Sequence, residues 1–519
     1  MTTSARAIDP VHRRAAGILL HVTSLPGPHG TGDLGEGARA FVDFLAAAGQ
    51  QVWQMLPIHP TGAGHSPYSG ASAFAGDPSL ISLHDLVDEG WLEPSELPPP
   101  LADDRTDHDA AWAVREPALR RAFSRFRPGR DYERFERDAA SWLADYTLFA
   151  VLARVHGGPR WTAWPAALRD REPAALAEAR REHRDELAYL GFVQYVFAQQ
   201  WARLRRHARA RGVRLIGDIP IYVAHESADV WTHRAQFHVD ATGEPSFVAG
   251  VPPDYFSKTG QRWGNPLYRW KRMRRDGYRW WRARFETLLE RFDQIRLDHF
   301  IGFSRFWKIP ASEPTAEHGR WTRGPGADFF ARMRAALGEL PFIAEDLGEV
   351  TPAVRALRDR FALPGMRVFQ FAFGTDVQAA AFQPHRYPAN CVAYTGTHDN
   401  DTLIGWLDDP GGDGAPRSPA QAALERQRAL EYVVGPGATL DQPAHLAILR
   451  ALYASAADTV VVPWQDVLGL GSATRMNNPS HADGNWTWRM DRGALTPALA
   501  HRLHELARVY ERLPAPASA

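Results

Sequence analysis

Eight short and nearly continuous apolar runs divide this chain of 519 residues, and they limit the folds open to it. Segments with helical periodicity lie between them, for example 38–48, 280–292 and 443–456. Apolar runs of this length without polar alternation are typical of strands buried on both faces of a parallel sheet. Eight such strands alternating with helices predict an α/β fold, a (β/α)8 TIM barrel. The runs cover 17–22, 52–58, 213–222, 294–300, 341–347, 366–373, 391–398 and 459–463.

The spacing between the runs is uneven. About 155 residues separate Ile58 from Val213, whereas connections in α/β folds usually need about 2–6 residues besides a helix. Helical periodicity within this gap predicts a mainly helical insertion at 60–212, between strands 2 and 3. A second excursion at 225–269 is rich in glycine, proline and aromatic residues, and predicts a loop or lid insertion after strand 3.

The C-terminal part of the chain limits the domain count. Only about 50 residues follow the last predicted strand, which leaves room for a closing helix but not for a C-terminal β-domain. We therefore expect residues 1–519 to form a single catalytic barrel, with large inserted subdomains in its βα loops.

Charge and composition narrow the possible partners. The chain has 60 basic and 60 acidic side chains, so its formal net charge is zero, and no block carries a single sign. This balance argues against nucleic acid or an anionic membrane as a partner. The lone cysteine, Cys391, excludes an intramolecular disulfide and a cysteine-based metal site.

Targeting signals give the expected location. No stretch approaches the roughly 18 apolar residues of a membrane span. Residues 13–20 imitate the start of a signal peptide, but no small-residue cleavage site follows them. We expect a cytoplasmic protein, and the sequence assigns it no oligomeric state.

Acidic residues stand at the ends of four predicted strands. They are Asp218, Asp298, Glu345 and Asp399. The carboxyl ends of barrel strands face one mouth, where active sites of this fold lie. A single aspartate there is often only a turn or helix-cap residue. Four of eight strands ending in this way favour a shared acidic pocket.

Such a pocket has two chemical interpretations. Without a metal, carboxylates can divide acid and nucleophile roles at a glycosidic bond. With a metal, they would bind Mg²⁺ or Ca²⁺, and the run 398–401 (HDND) fits either metal ligands or a loop that binds hydroxyl groups. Arg296 precedes Asp298 by two residues, on the same side of its strand, where it would keep Asp298 ionised and repel a divalent ion. Aromatic residues near the same strand ends also favour the hydroxyl-binding interpretation of 398–401, so we expect no metal and no cofactor.

Aromatic residues favour a sugar as the ligand. Several lie in or beside loops with glycine, proline and asparagine, and the proline-rich segment 251–257 is unlikely to bury Tyr255 and Phe256 together. Flat apolar rings beside acids and amides suit a sugar ring, which has an apolar face and an edge of hydroxyl groups. These aromatic residues are Trp53, Tyr68, Tyr255, Phe256, Trp263, Trp307, Trp464, Trp486 and Trp488.

Seven motifs in sequence order then carry a family resemblance. They are HVTSLPGP at 21–28, GDIPIYV at 217–223, PDYF at 253–256 with GNPLY at 264–268, RLDHF at 296–300, AEDLG at 344–348, GTHDNDT at 396–402 and GNW at 484–486. Together they resemble the 4-alpha-glucanotransferases, the amylomaltase or disproportionating-enzyme family of the α-amylase clan. The match runs along nearly the whole chain.

The resemblance implies catalytic roles. Asp298 would be the nucleophile that forms a covalent glucosyl-enzyme. Glu345 would be the general acid and then the base. Asp399 would bind the 2- and 3-hydroxyls of the distorted sugar together with His398. Retaining chemistry of this kind needs two carboxyl groups about 5–5.5 Å apart, a distance that adjacent strands can provide.

The resemblance also implies the substrate contacts. Tyr255 and Phe256 match a mobile lid over the acceptor sites. The full set of expected substrate-binding residues is Tyr68, Asp218, Tyr255, Phe256, Trp263, Asn265, Arg296 and His398. Departures from the common family pattern at Ala63, His65, Ser69 and Ile301 leave the catalytic positions untouched but put the chain-length preference in question.

The implied activity is a retaining transfer of α-1,4-glucan segments. The donor would be a maltooligosaccharide, starch or a glycogen-derived glucan, and the acceptor the 4-hydroxyl of another glucan or of glucose. The alternatives are an α-1,4-glucan hydrolase, a catalytically degenerate glucan-binding protein and a metal-dependent phosphotransferase. Transfer requires that water be excluded from the glucosyl-enzyme, and the aromatic lid is a means to exclude it.

Overall fold

The computed structural model describes residues 14–253, 258–412, 417–481 and 483–514. Twelve strands lie in these ranges. They are β1 (Ala15–Leu19), β2 (Val52–Gln54), β3 (Arg214–Ile219), β4 (Phe247–Val251), β5 (Gln261–Pro266), β6 (Gln294–Leu297), β7 (Arg305–Pro310), β8 (Arg320–Arg323), β9 (Phe342–Ala344), β10 (Gly365–Val368), β11 (Cys391–Tyr394) and β12 (Thr459–Pro463).

Eight of these strands close into a barrel in the order β1-β12-β11-β10-β9-β6-β3-β2. All eight neighbouring pairs are parallel. Each barrel strand falls in or overlaps one of the eight apolar runs, so the predicted (β/α)8 TIM barrel is confirmed. The runs work as signals because strands buried on both faces need apolar residues at successive positions.

Nineteen α-helices accompany the strands in the described ranges. They are α1 (Glu36–Ala47), α2 (Leu83–Asp88), α3 (His108–Arg125), α4 (Arg130–Asp138), α5 (Leu143–Val155), α6 (Ala166–Arg169), α7 (Pro173–Glu182), α8 (Arg184–Ala210), α9 (Ala228–Thr232), α10 (Trp270–Arg275), α11 (Arg279–Arg291), α12 (Ile301–Ser304), α13 (Ala327–Leu337), α14 (Pro352–Arg360), α15 (Leu403–Asp408), α16 (Pro419–Val434), α17 (Ala444–Ala454), α18 (Trp464–Leu468) and α19 (Pro497–Val509). The helices predicted at 38–48, 280–292 and 443–456 are α1, α11 and α17.

The segment between β2 and β3 contains helices α2 to α8. Two glutamines on α8 fasten the chain that follows β2. Gln194 pairs with both the N–H and the carbonyl of Gly76, and Gln200 does the same with Ser82. Both glutamines are buried, and buried backbone groups need such partners. These contacts hold the loop 59–82 against α8. The status of 60–212 as a separate inserted unit stays a prediction.

A second sheet was missed by the sequence analysis. It has the strand order β5-β4-β7-β8, and all its pairs are antiparallel. β4 and β5 lie in the excursion 225–269, where only a loop or lid was expected, and β7 and β8 lie between β6 and β9. The first half of β5 is exposed, and its pairing with β4 shifts register between Val248 and Gly250. The alternating pattern that marks a half-buried strand is therefore absent.

The inside of the barrel is packed with side chains from successive strands. Val52, Ile216, Ile343, Val392 and Val461 all belong to one buried cluster. Gly17 allows β1 to approach β2, because a Cβ at this position would lie 2.3 Å from the Val52 carbonyl oxygen. Among the described residues, none of the helices is long and apolar enough to cross a lipid bilayer.

Candidate active site

The four predicted carboxylates lie at the carboxyl ends of barrel strands. Asp218 is near the end of β3, Asp298 follows β6, and Glu345 follows β9. Leu297 pairs with Ala344, so Asp298 and Glu345 come next on two strands about 4.8 Å apart. Asp399 lies in the loop that follows β11. The barrel thus places Asp298 and Glu345 side by side.

Arg296 joins two of these carboxylates. Its Nη1 lies 2.9 and 2.7 Å from the two carboxylate oxygens of Asp218, and 3.0 Å from Oδ1 of Asp298. Arg296 and Asp218 are buried, and the Asp298 side chain is 28% exposed. Because Arg296 faces two carboxylates, its single charge is shared between them.

The shared charge changes one expectation about Asp298. Burial raises the pKa of this carboxyl, Arg296 opposes the rise, and repulsion from Asp218 adds to it, so that the pKa is about 6. Asp298 still ionises below neutral pH, although Arg296 does not bring its pKa under the usual range of an aspartate.

Glu345 accepts two backbone hydrogen bonds. The N–H of His299 donates to Oε2 at 2.7 Å, and the N–H of Leu347 donates to Oε1 at 3.1 Å. Burial raises the pKa of Glu345 to about 8, with Arg296 opposing the rise and Asp298 adding to it. Glu345 is therefore largely protonated at neutral pH. A buried carboxyl beside an ionised one is a common form of general acid.

His299 is a site residue that the sequence analysis did not single out. Its φ angle of 51° is left-handed, which is uncommon for a residue other than glycine. In this conformation its N–H donates a hydrogen bond to Glu345. Its ring packs edge-on against the indole of Trp263, with the ring centroids 4.9 Å apart. An uncommon backbone conformation next to a candidate acid fits the clustering of such conformations at functional sites.

Tyr68 comes from the loop after β2 and completes the cluster around Asp218. Its hydroxyl donates to Oδ2 of Asp218 at 2.7 Å and lies 3.3 Å from Nδ1 of His398. The Tyr68 and His398 rings stack with centroids 4.8 Å apart. Burial raises the pKa of Tyr68 well above its usual value, so its hydroxyl stays protonated. The structure thus groups Tyr68, Asp218, Arg296, Asp298 and His398, and their roles at a sugar stay predictions.

Asp399 has a different environment. Its Oδ1 accepts a hydrogen bond from Asn477 at 2.6 Å, and its Oδ2 lies 3.2 Å from Nε2 of His398. Burial raises the pKa of Asp399, but His398 and the hydrogen bond from Asn477 outweigh this effect and lower the pKa to about 2. Asp399 is ionised at every physiological pH. Asn477 was not identified from the sequence. It lies 78 residues after Asp399, and no pattern near it indicates that the two side chains meet.

The neighbours of Asp399 form a hydrogen-bonded loop. Asn400 accepts from both the N–H and the hydroxyl of Thr397. Asp401 accepts from Ser472 at 2.8 Å, whereas Asp399 faces Asn477. The two acidic members of the run 398–401 therefore face different partners, which favours the hydroxyl-binding interpretation of this run.

Of the remaining predicted substrate-binding residues, Trp263 and Asn265 lie on β5. Trp263 on β5 is 38% exposed beside His299. The amide of Asn265 donates to the Val223 carbonyl at 3.0 Å, so this residue fastens β5 to the loop after β3. Its substrate contact stays a prediction. Tyr255 and Phe256 lie outside the described residues.

The aromatic candidates also separate into two groups. Trp53 and Trp464 are fully buried, and the indole N–H of Trp53 donates to the Leu20 carbonyl. These two are core residues. Trp486 lies with its ring centroid 6.1 Å from Tyr68 and 6.0 Å from His398, so it forms a wall of the site.

Comparison with known proteins identifies the family of this chain. A family model described as 4-alpha-glucanotransferase matches residues 20–496. The chain is 47% identical to a 4-alpha-glucanotransferase of Thermus thermophilus over 512 residues, with 96% of this chain and 99% of the relative covered. It is 43% identical to one of Synechocystis, with 96% and 98% covered. An amylomaltase from Streptococcus agalactiae in complex with acarbose superposes with a TM-score of 0.90 at 34% identity, with 97% of this chain and 100% of that chain covered. This chain therefore belongs to the 4-alpha-glucanotransferase family.

Proposed function

We propose that this protein transfers α-1,4-glucan segments between chains by a retaining mechanism. The donor is a maltooligosaccharide, starch or a glycogen-derived glucan, and the acceptor is the 4-hydroxyl of another glucan or of glucose. One observation carries the proposal. Two carboxyls on adjacent strands, Asp298 and Glu345, differ in pKa, at about 6 and about 8. Between these values one is an ionised nucleophile and the other a protonated acid.

The first step breaks the glycosidic bond. A carboxylate oxygen of Asp298 attacks the anomeric carbon, and Glu345 gives its proton to the leaving glycosidic oxygen. The reducing-end fragment departs with a free 4-hydroxyl, and the remaining segment stays on Asp298 as a β-linked ester. The transition state has oxocarbenium character, so the anionic site around the ring stabilises it.

The second step reverses the roles. Esterification removes the negative charge of Asp298, which had helped to raise the pKa of Glu345. Glu345 is then a carboxylate and a base. It takes the proton from the acceptor 4-hydroxyl, whose oxygen attacks the anomeric carbon and displaces Asp298. Two inversions restore the α configuration, and Glu345 recovers its proton.

The other site residues orient the sugar. Asp399 stays ionised because its pKa is about 2, so it can accept hydrogen bonds from two ring hydroxyls beside His398. Tyr68 and Arg296 both donate hydrogen bonds to Asp218 and hold it in the same site. Hydrogen bonds that strengthen as the ring flattens would lower the barrier.

Transfer instead of hydrolysis depends on which nucleophile reaches the ester. Trp263 presents an exposed indole beside His299, close to the general acid. An aromatic surface there favours stacking of an acceptor sugar over entry of bulk water. We extend the same role to Tyr255 and Phe256 on the basis of the family resemblance. Balanced charge suits a neutral polymer, and we propose a cytoplasmic enzyme without a nucleic acid partner.

One incubation tests the proposal. Maltotriose alone should give glucose and a ladder of longer maltooligosaccharides without added cofactor or metal, as resolved by chromatography. Asp298→Asn should abolish the ladder while glucan binding persists. Glucose and maltose without longer products would show a hydrolase instead, and an unchanged ladder with Asp298→Asn would show that the nucleophile is misassigned.

A further inference from the structure

A buried carboxylate outside the sugar site holds the loop that carries His398 and Asp399. Asp466 lies on α18, directly after β12, and is 1% exposed. Its Oδ2 accepts a hydrogen bond from the Thr395 hydroxyl. Its Oδ1 accepts a hydrogen bond from the N–H of Leu403 at 2.6 Å. Thr395 follows β11, and Leu403 begins α15. Asp466 therefore contacts both ends of the loop 396–402.

The contact joins two neighbouring parts of the barrel. β11 and β12 are adjacent parallel strands, so Asp466 fastens the loop of one strand to the chain that follows the next. Gln370 also donates to the carbonyl of Asp401 within the loop. Asp399 itself receives hydrogen bonds from the Asn477 amide and from Arg475 at its backbone carbonyl. These contacts reach the interior of the loop, whereas Asp466 contacts the residues at its two ends.

We propose that Asp466 is a positioning residue for the transfer reaction, acting through Asp399 by holding the ends of its loop. The inference rests on the proposed function, because Asp399 must contact the sugar for its position to matter. Small displacements of a group that contacts the reacting sugar cost large factors in rate.

The hydrogen bonds also predict which substitutions are tolerated. Burial raises the pKa of Asp466 to about 7, and its Thr395 partner can turn its hydroxyl to donate or to accept. An asparagine could accept from the Leu403 N–H and donate to the Thr395 oxygen. Asp466→Asn should therefore keep both contacts, whereas Asp466→Ala removes both.

A kinetic double-mutant cycle tests the inference. We measure kcat for ladder formation from maltotriose in the parent and in an Asp399→Ala background. Asp466→Ala should lower kcat of the parent by about 10- to 100-fold. In the Asp399→Ala background it should lower the remaining kcat by less than about twofold, because the residue through which it acts is already gone. Asp466→Asn should stay within about threefold of the parent, since both contacts survive.

The matched control is Asp229→Ala. Asp229 is also buried and accepts two donors, the Ala73 N–H and the Trp280 indole, but it lies on α9. Asp229→Ala should change kcat by the same factor in the parent and in the Asp399→Ala background. Thermal unfolding establishes that each variant is folded. If Asp466→Ala does not fold, Thr395→Val removes one of the two contacts and enters the same cycle with the same expectation.

The outcomes separate this inference from the proposed function. Absence of a ladder with the parent protein would contradict the proposed function before any variant is compared. An unchanged kcat with Asp466→Ala, or equal losses in both backgrounds, would overturn the role of Asp466 and leave the transfer reaction standing.

Discussion

Asp218→Asn should move the acid limb of the activity profile to lower pH. Asp218 and Asp298 share Nη1 of Arg296 at 2.7 and 3.0 Å, so their nearest oxygens lie no more than about 6 Å apart. Asp218 raises the pKa of Asp298 by repulsion. The neutral amide removes that repulsion and leaves the charge of Arg296 to Asp298 alone, so Asp298 should ionise at lower pH.

The size of the shift follows from the distance. Two unit charges about 6 Å apart repel by about 0.7 kcal/mol at the dielectric constant of water and by about 3 kcal/mol at an effective value of 20. One pKa unit corresponds to about 1.4 kcal/mol. The acid limb, near pH 6 in the parent, should therefore move down by about 0.5 to 2 units. The overall rate should also fall, because Asp218 lines the same site.

The assay is kcat/KM for maltotriose disproportionation from pH 4 to pH 9. This quantity reports ionisation in the free enzyme, and its limbs belong to the coupled Asp298–Glu345 pair. Tyr68→Phe is the matched control, because it removes the hydroxyl that donates to Asp218 without changing a charge; its acid limb should stay close to that of the parent. If the acid limb of Asp218→Asn moves to higher pH or stays in place, Asp218 and Asp298 do not share the charge of Arg296.

Two further predictions concern catalysis and stability. Glu345→Gln should lower kcat by about 10² to 10⁴-fold and abolish the alkaline limb near pH 8, because its amide has no proton to lose; a persisting limb in the pH profile would assign that ionisation to another group. Gln194→Ala should lower the free energy of unfolding by about 2–4 kcal/mol, since the N–H and carbonyl of Gly76 both lose their buried partner. Urea unfolding measures this loss, and Gln427→Ala on the exposed face of α16 should change stability by less than about 0.5 kcal/mol. Equal stability of the two variants would contradict the fastening role of Gln194.

The barrel and its carboxylates could be predicted because their signals are local. A strand buried on both faces needs several apolar residues in succession, so each barrel strand is visible within a window of a few residues. Asp298 and Glu345 directly follow two such strands, and a parallel barrel brings the carboxyl ends of all its strands to one mouth. The family resemblance then added roles for these residues that spacing alone left open.

The second sheet and several site residues could not be predicted in this way. The first half of β5 is exposed, and the strand carries no alternating pattern. His299, Asn477 and Asp466 act through contacts between parts of the chain that only folding brings together. A hydrogen bond between residues far apart in the sequence produces no pattern in the sequence around either residue.

Sequence alone determined the order of the barrel strands along the chain and the identity of the acids at their ends. Tertiary structure alone decided how those acids ionise. Asp298, Glu345 and Asp399 are chemically similar carboxyls, yet their pKa values are about 6, about 8 and about 2. The differences arise from burial, from the sharing of Arg296 and from the contacts of Asp399 with His398 and Asn477. Each of these is a property of distance and solvent access, which the order of residues does not contain.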